Sequence, residues 1–233
     1  MTRTSTPLVL LDLDGTLTDS APGILAGIRH AYGVLGLPVP DDAALRSFVG
    51  PPITDSFAAH GVPAARVDEA VVAYRAVFAA GGMYDNRVYD GIPQTLVALR
   101  DAGCALAVAT SKPEVFAKPI CDRFGLSELV DGIFGAPLEE GLSTKADVIA
   151  TALATLGRAT PADPADGPVV MVGDRLHDVH GAAAHGIDCL GVSWGYADDG
   201  ELLAAGAVAV VDDVRDLTAA VLTRLPVTPT PAR

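Results

Sequence analysis

Short apolar runs rich in Val, Leu, Ile and Ala recur along the 233-residue chain, at Leu8–Leu13, Ala105–Thr110, Gly132–Gly135, Val169–Gly173, Cys189–Val192 and Val208–Val211. Between most of them lie stretches with helical character: "PQTLVALRDAG", "PEVFAKPICDRFG", "TKADVIATALATLG" and "DVHGAAAHG". Several begin after Pro, Ser, Thr or Asp and close on Gly, as helix caps prefer. Continuous apolar strands alternating with helices predict an α/β fold whose parallel sheet is covered on both faces.

One region breaks the alternation. From Pro22 to about Gly82 the signals are helical, with no convincing strand. In "RVDEAVVAYRAVFAAGG", Val67, Ala70, Val71, Tyr74, Val77 and Phe78 follow the i, i+3, i+4, i+7 spacing of one apolar helix face. Ser20 can cap a helix beginning at Pro22, Asp41 or Asp42 can start a second, and Pro51-Pro52 can open a third. An ordinary crossover has one helix and short loops, so this stretch reads as an all-helical cap inserted after the first strand. The expected division is a discontinuous core over residues 1–18 and 88–225, a cap over 19–87 and a disordered tail over 226–233. The polar stretch "GRATPADPADGP" reads as a surface connection.

Charge and composition narrow the partners. A formal net charge of −13 disfavours binding to nucleic acid, whose affinity comes largely from Lys and Arg neutralising phosphates. The apolar runs are far shorter than the roughly 20 residues that span a bilayer, so no membrane association is expected. The opening "MTRTSTP" lacks the apolar stretch of a secretory signal, and the expected location is cytoplasmic. Cys104, Cys121 and Cys189 are scattered, odd in number and without a C-x-x-C pair, which reads as buried thiols in a reducing compartment.

Candidate chemistry collects where the strands end. Asp12 and Asp14 close the first run; in an extended chain residues i and i+2 point to the same side, so both carboxylates would face one small volume. The second run ends in Thr110-Ser111 and the fourth in Gly173-Asp174, with Asp178 shortly after. Lys145 opens the helix between those two runs. In open parallel sheets the functional crevice lies at the carboxyl ends of the strands, where strand order reverses. Such a set suits phosphoryl transfer, in which catalysis is mainly positioning and charge neutralisation. An anionic nucleophile is repelled by an anionic phosphate, and Mg²⁺ relieves this; Asp12, the Asp14 carbonyl and Asp174 can supply its protein oxygens. Thr110, Ser111 and Lys145 can address the remaining phosphate oxygens. Asp12 then attacks, while Asp14 protonates the leaving oxygen and later takes a proton from water.

In order and spacing, "DLDGTLTDS", "VATSKP", Lys145 in "LSTKADVI" and "VGDRLHDV" resemble the four motifs of the haloacid dehalogenase superfamily. The helical insertion after the first motif is similar to the small cap of its phosphoglycolate phosphatase and β-phosphoglucomutase branch. The resemblance covers nearly the whole chain and implies a Rossmann-like core with a helical cap. It implies Asp12 as the nucleophile that becomes an aspartyl phosphate, Asp14 as general acid and base, and Asp174 as a magnesium ligand. Thr110, Ser111, Lys145 and Gly15 fall at phosphate-binding positions, Gly15 and Thr16 opening the turn from core to cap. Asp178 matches the second acid of the fourth motif, which orders the metal's waters or the lysine. Many relatives carry Lys-Pro at the third motif; here Lys145 precedes Ala146, and a Lys-Pro stands instead at Lys112-Pro113, so Lys112 competes for the phosphate.

The implied activity is a Mg²⁺-dependent phosphatase for a small phosphorylated metabolite, phosphoglycolate phosphatase-like or nucleotide 5′-phosphatase-like, acting as a monomer or homodimer. A sugar-phosphate mutase would use the same residues. A phospho-accepting signalling module also gathers acids and a lysine around Mg²⁺, but without a helical insertion after its first strand. His177 and His180 invite a zinc reading, against which the hard oxygen donors and the missing H-E-x-x-H weigh. His177 suits a place at the substrate entrance, and Arg46 and Arg87 are cap or hinge candidates for a substrate anion.

Overall fold

The computed structural model describes residues 6–138, 143–158 and 167–225; the predicted tail and most of the predicted 157–168 connection lie outside them. Six strands, β1 (Leu8–Leu11), β4 (Ala105–Pro113), β5 (Gly132–Ala136), β6 (Val169–Gly173), β7 (Asp188–Val192) and β8 (Ala209–Val211), form one sheet. Its order is β5-β4-β1-β6-β7-β8, and every pairing is parallel. The remaining two strands, β2 (Thr18–Asp19) and β3 (Arg87–Val88), pair antiparallel as a separate strap.

Period-two alternation divides the apolar residues between the two faces. Val9, Leu11, Leu106, Val108, Val170 and Val172 belong to one buried cluster, which also holds residues of α5 (Ile92–Asp101), α6 (Glu114–Arg123) and α10 (Val214–Arg224). Leu8, Leu10, Ala107, Ala109 and Met171 belong to the other, with α7 (Lys145–Thr155), α8 (Leu176–Ala183) and α9 (Glu201–Ala205). A sheet buried on both sides explains why its strands are apolar throughout instead of alternating. The chain builds β4 and β5 on one side of β1, then returns through α7 to add β6, β7 and β8 on the other. The carboxyl end of β1 is therefore the switch point at which a crevice opens.

Between β2 and β3 run four α-helices: α1 (Ala21–Leu35), α2 (Asp42–Arg46), α3 (Ile53–Ala59) and α4 (Val67–Ala79). Ala70, Val71, Tyr74 and Phe78 of α4 are buried, with Val67 and Val77 at its margins, so the predicted apolar face is the packed one. Tyr32, Phe48, Phe57, Tyr74 and Phe78 form a chain of ring contacts that extends to Phe116 of α6. The Asp41 side chain caps α2 by accepting from Ala44 N. Ser20 occupies the N-cap position of α1 but makes no capping bond; the amide of Ala21 donates to the Tyr196 hydroxyl instead, at 3.0 Å.

Strand limits differ from the sequence reading at two functional points. β1 stops at Leu11, because Gly15, at φ 83°, turns the chain back and its amide donates to Thr18 O at 2.7 Å. β4 runs on to Pro113, with a register irregularity between Thr110 and Pro113. Cys104, Cys121 and Cys189 are buried free thiols. Among the described residues no helix is long and apolar enough to cross a membrane.

Candidate active site

Asp12 follows β1, and its amide still bonds Val172 O of β6 at 2.9 Å, which fixes the carboxylate at the switch point. Asp174 follows β6, and Asp178 lies in the first turn of α8. Carboxylate oxygens of these three buried acids lie within 4.8 Å of one another. Gly15 and Gly195 both close on Asp174: a Cβ at either would fall 2.1 Å or 2.4 Å from its Oδ2, so neither position tolerates a side chain. Asp174 is held further by Tyr196 N (2.8 Å) and the Thr16 hydroxyl (3.2 Å).

Lys145 is the cation of this cluster. Its Nζ lies 2.6 Å from Asp12 Oδ1 and 2.7 Å from Asp178 Oδ1, and it donates to Ala109 O at 2.9 Å. It is the first residue of α7, whose capping box pairs the Thr144 hydroxyl with Asp147 N and the Asp147 carboxylate with Thr144 N. The cap fixes the helix start, and the helix start aims the lysine. Burial works against the ammonium, but the Asp12 and Asp178 carboxylates outweigh it and hold Lys145 above the ordinary lysine value.

The acids are strained the other way. Burial pushes the Asp12 carboxyl up to about 6, with Lys145 pulling it down and Asp178 and Asp14 adding repulsion. Asp174 is held well above the usual carboxylate value, by burial first and then by Asp178 and Asp12. Three hard oxygen donors crowded together, two of them unfavourable as anions, fit a small divalent cation better than a histidine-preferring one. The residues that can hold it are Asp12, Asp174 and Asp178.

Asp14 separates from that group. With β1 ended at Leu11, the strand rule no longer dictates where it points, and its Oδ2 pairs with Lys112 Nζ at 2.8 Å. Its Oδ1 is buried without a hydrogen-bond partner among the described residues. The two lysines thus divide the work: Lys145 serves Asp12, and Lys112 serves Asp14 while lying 4.8 Å from the ring centre of Phe78. Thr110 is buried, and its Oγ1 accepts from Lys112 N at 3.2 Å, which leaves the hydroxyl hydrogen to donate.

A cavity of about 780 Å³ opens beside Asp14 and the two lysines, with Asp12, Thr110, Asp174 and Asp178 set behind its lining. From the core it is lined by Asp14, Ser111, Lys112, Lys145, His177 and His180, and from the helical insertion by Phe48, Pro51, Tyr74, Arg75 and Phe78 among others. His177 therefore faces the cavity, as the sequence suggested; burial and the neighbouring Arg175 keep its imidazole below the usual value. Arg46 is exposed and absent from the lining, and Arg87 pairs instead with Asp19 at 3.1 Å. Sequence reasoning did not single out Arg175, Tyr196 or Glu201, whose side chains or amides bond residues 22 to 126 positions away, although Arg175 stands inside "VGDRLHDV".

Residues 9–192 match the haloacid dehalogenase-like hydrolase family. Among curated relatives, the chain is 44% identical over 217 residues to a protein of Mycobacterium tuberculosis named tyrosine-protein kinase PtkA, covering 91% of this chain and 72% of the relative. It is 41% identical over 199 residues to a 5′-nucleotidase of Pseudomonas aeruginosa, covering 85% and 87%. The crystal structure of a predicted phosphatase from Clostridium acetobutylicum superposes with a TM-score of 0.86 at 40% identity, over 94% of this chain and all of that one. With the acids, lysines and cavity in place at the switch point, these matches establish that the chain belongs to the haloacid dehalogenase-like hydrolase family, in which it is a phosphoric monoester hydrolase.

Proposed function

We propose that this protein is a Mg²⁺-dependent phosphatase that hydrolyses a nucleoside 5′-monophosphate or a phosphomonoester of similar size through an aspartyl phosphate on Asp12. The observation that carries the reading is the Lys145–Asp12 contact of 2.6 Å beside the acid cluster, with Lys145 and Asp14 also lining a cavity of about 780 Å³. A volume in the upper part of the roughly 300–1,000 Å³ range of small-molecule sites is more than a two-carbon phosphate acid needs. Its aromatic walls suit a base or another flat apolar body. The 5′-nucleotidase relative points the same way.

Lys145 orients the Asp12 carboxylate and offers a fixed positive charge to the phosphate oxygens. An Asp12 oxygen bonds to phosphorus as the ester oxygen departs, and Asp14 gives that oxygen its proton. Asp14 then accepts a proton from the water that attacks the aspartyl phosphate, which releases inorganic phosphate and restores Asp12. Thr110 and Ser111 supply hydroxyl donors to the phosphate. Mg²⁺, held by Asp12 and Asp174 with Asp178 at hand, would neutralise charge between carboxylate and phosphate. The resemblance adds the Asp14 carbonyl to that set.

Phosphate release measured over nucleoside monophosphates, phosphoglycolate, sugar phosphates and pyrophosphate tests the proposal, with highest kcat/KM expected for a nucleoside monophosphate. Preference for phosphoglycolate would overturn the size argument. A bisphosphate-dependent isomerisation of a sugar phosphate, or a long-lived phosphoprotein without turnover, would overturn the hydrolytic one. Because one relative is named a kinase, ATP is included; transfer of its phosphate to tyrosine without monoester hydrolysis would also overturn it.

A further inference from the structure

Arg175 follows Asp174 directly, yet its side chain leaves the acids and crosses to the helical insertion. Its Nη1 donates to the Val49 carbonyl at 2.6 Å, and its Nε donates to Glu201 Oε1 at 2.9 Å, with the residue only 8% exposed. Glu201 is itself fixed, accepting from Leu176 N at 2.8 Å and from Asp198 N at 3.2 Å. A guanidinium braced this way presents its remaining donors in one orientation. Val49 lies between α2 and α3, and its neighbours Phe48, Gly50, Pro51 and Pro52 line the cavity. Gly50, at φ 109°, lies against the arginine stem: a Cβ there would come 3.1 Å from Arg175 Cγ. At its other end the Arg175 amide donates to Asp178 Oδ2 at 3.0 Å, and Asp178 is the acid paired with Lys145.

One residue thus touches the acid cluster through its backbone and the far wall of the cavity through its side chain. The wall contact is to a backbone carbonyl, so it seats the segment whatever side chains that segment carries, and a buried charged donor makes it a strong bond. We propose that Arg175 is a positioning residue: it clamps the Phe48–Pro52 segment as a wall of the substrate cavity and thereby sets how the enzyme discriminates by the size of the group beyond the phosphate. The discrimination part rests on the phosphatase reading above; the clamp itself does not.

Two measurements on the full chain separate these. Hydrogen–deuterium exchange of peptides covering residues 45–53 is compared for wild type, Arg175→Met, which keeps most of the stem, and Arg175→Lys, which keeps one donor. Faster exchange there by about tenfold in Arg175→Met, and by less in Arg175→Lys, is expected; unchanged exchange overturns the clamp. In parallel, kcat/KM is measured for adenosine 5′-monophosphate and for phenyl phosphate. The ratio is expected to fall about tenfold in Arg175→Met, mainly through KM for the larger substrate, with partial rescue by Arg175→Lys. An equal loss of kcat on both substrates would mean a damaged acid cluster and overturn the discrimination role. If Arg175→Met does not fold, a wild-type exchange rate and substrate ratio in Arg175→Lys overturns the proposal. Wild type that releases phosphate from neither compound sinks the phosphatase reading, and the exchange comparison still decides the clamp.

Discussion

Asp12 carries two opposing demands. Attack on phosphorus needs an anion, while burial and the neighbouring acids favour the protonated form and push its pKa up to about 6. Lys145, at 2.6 Å, is the counterweight that keeps the carboxylate available near neutrality. Asp12→Asn keeps the shape and removes the nucleophile, so phosphate release should fall at least about a thousandfold while circular dichroism and melting stay close to wild type. Asp14→Asn tests proton transfer. Its penalty should be about 10²–10⁴-fold for alkyl phosphates and clearly smaller for aryl phosphates, whose leaving oxygen needs less protonation; steady-state rates on the two classes decide it. Both acids were legible in "DLDGTLTDS", since anions at the end of an apolar strand have little structural reason to be there. Their separation was not. Lys112 reaches Asp14 only because β4 continues past Thr110 with an irregular register, which no periodicity announces.

At the level of elements, each functional group is aimed by the end of a strand or helix. α7 is the plainest case, because its capping box sets where the helix starts and therefore where Lys145 stands. Thr144→Ala should cost about 1 kcal/mol in urea denaturation and raise KM for the phosphate substrate, as the first turn frays. The sequence marked a capped helix at "TKADVIATALATLG" but not this pair, although its partners are only three residues apart. Ser20 shows the limit of the same reasoning. It stands at the right position, but the α1 amide is satisfied by Tyr196, 175 residues away from Ala21. The Tyr196 hydroxyl also donates to Asp19 at 2.9 Å, and its amide bonds Asp174, so the loop after β7 ties the acid cluster to the root of the helical insertion. Local patterns carry caps and faces; bonds between distant segments leave no spacing to read.

For the molecule as a whole, the crowded acids make stability depend on metal and pH. In the metal-free protein Asp12 binds its proton below about 6 when folded, but only near the ordinary carboxylate value of 3.8 when unfolded. The folded state therefore holds more protons between those values, and this group adds stability as pH falls from above 6 toward 4, and loses it as pH rises through 6. Asp174 is shifted in the same direction. Added Mg²⁺ should raise the melting temperature at pH 7–8 by several degrees, about 2.7 kcal/mol at a hundred times its dissociation constant, and the gain should shrink below pH 6 as protons compete. Differential scanning fluorimetry with and without chelator checks both trends; a metal-independent melting curve at pH 8 would remove the acid cluster as a cation site. The parallel sheet and the helical insertion were both apparent from hydrophobic spacing, since that pattern records which faces are buried.

The helical insertion is rooted in the strap in which Thr18 pairs with Val88 and Asp19 with Arg87. The polypeptide departs and comes back a single strand-width apart, so whatever is spliced between those points leaves the geometry of the sheet undisturbed, and lengthening it adds little closure entropy. Transplanting a different head from a homologue at this junction should therefore change what the enzyme accepts, and phosphate release should survive where the new head again offers a carbonyl to Arg175 and a ring beside Lys112.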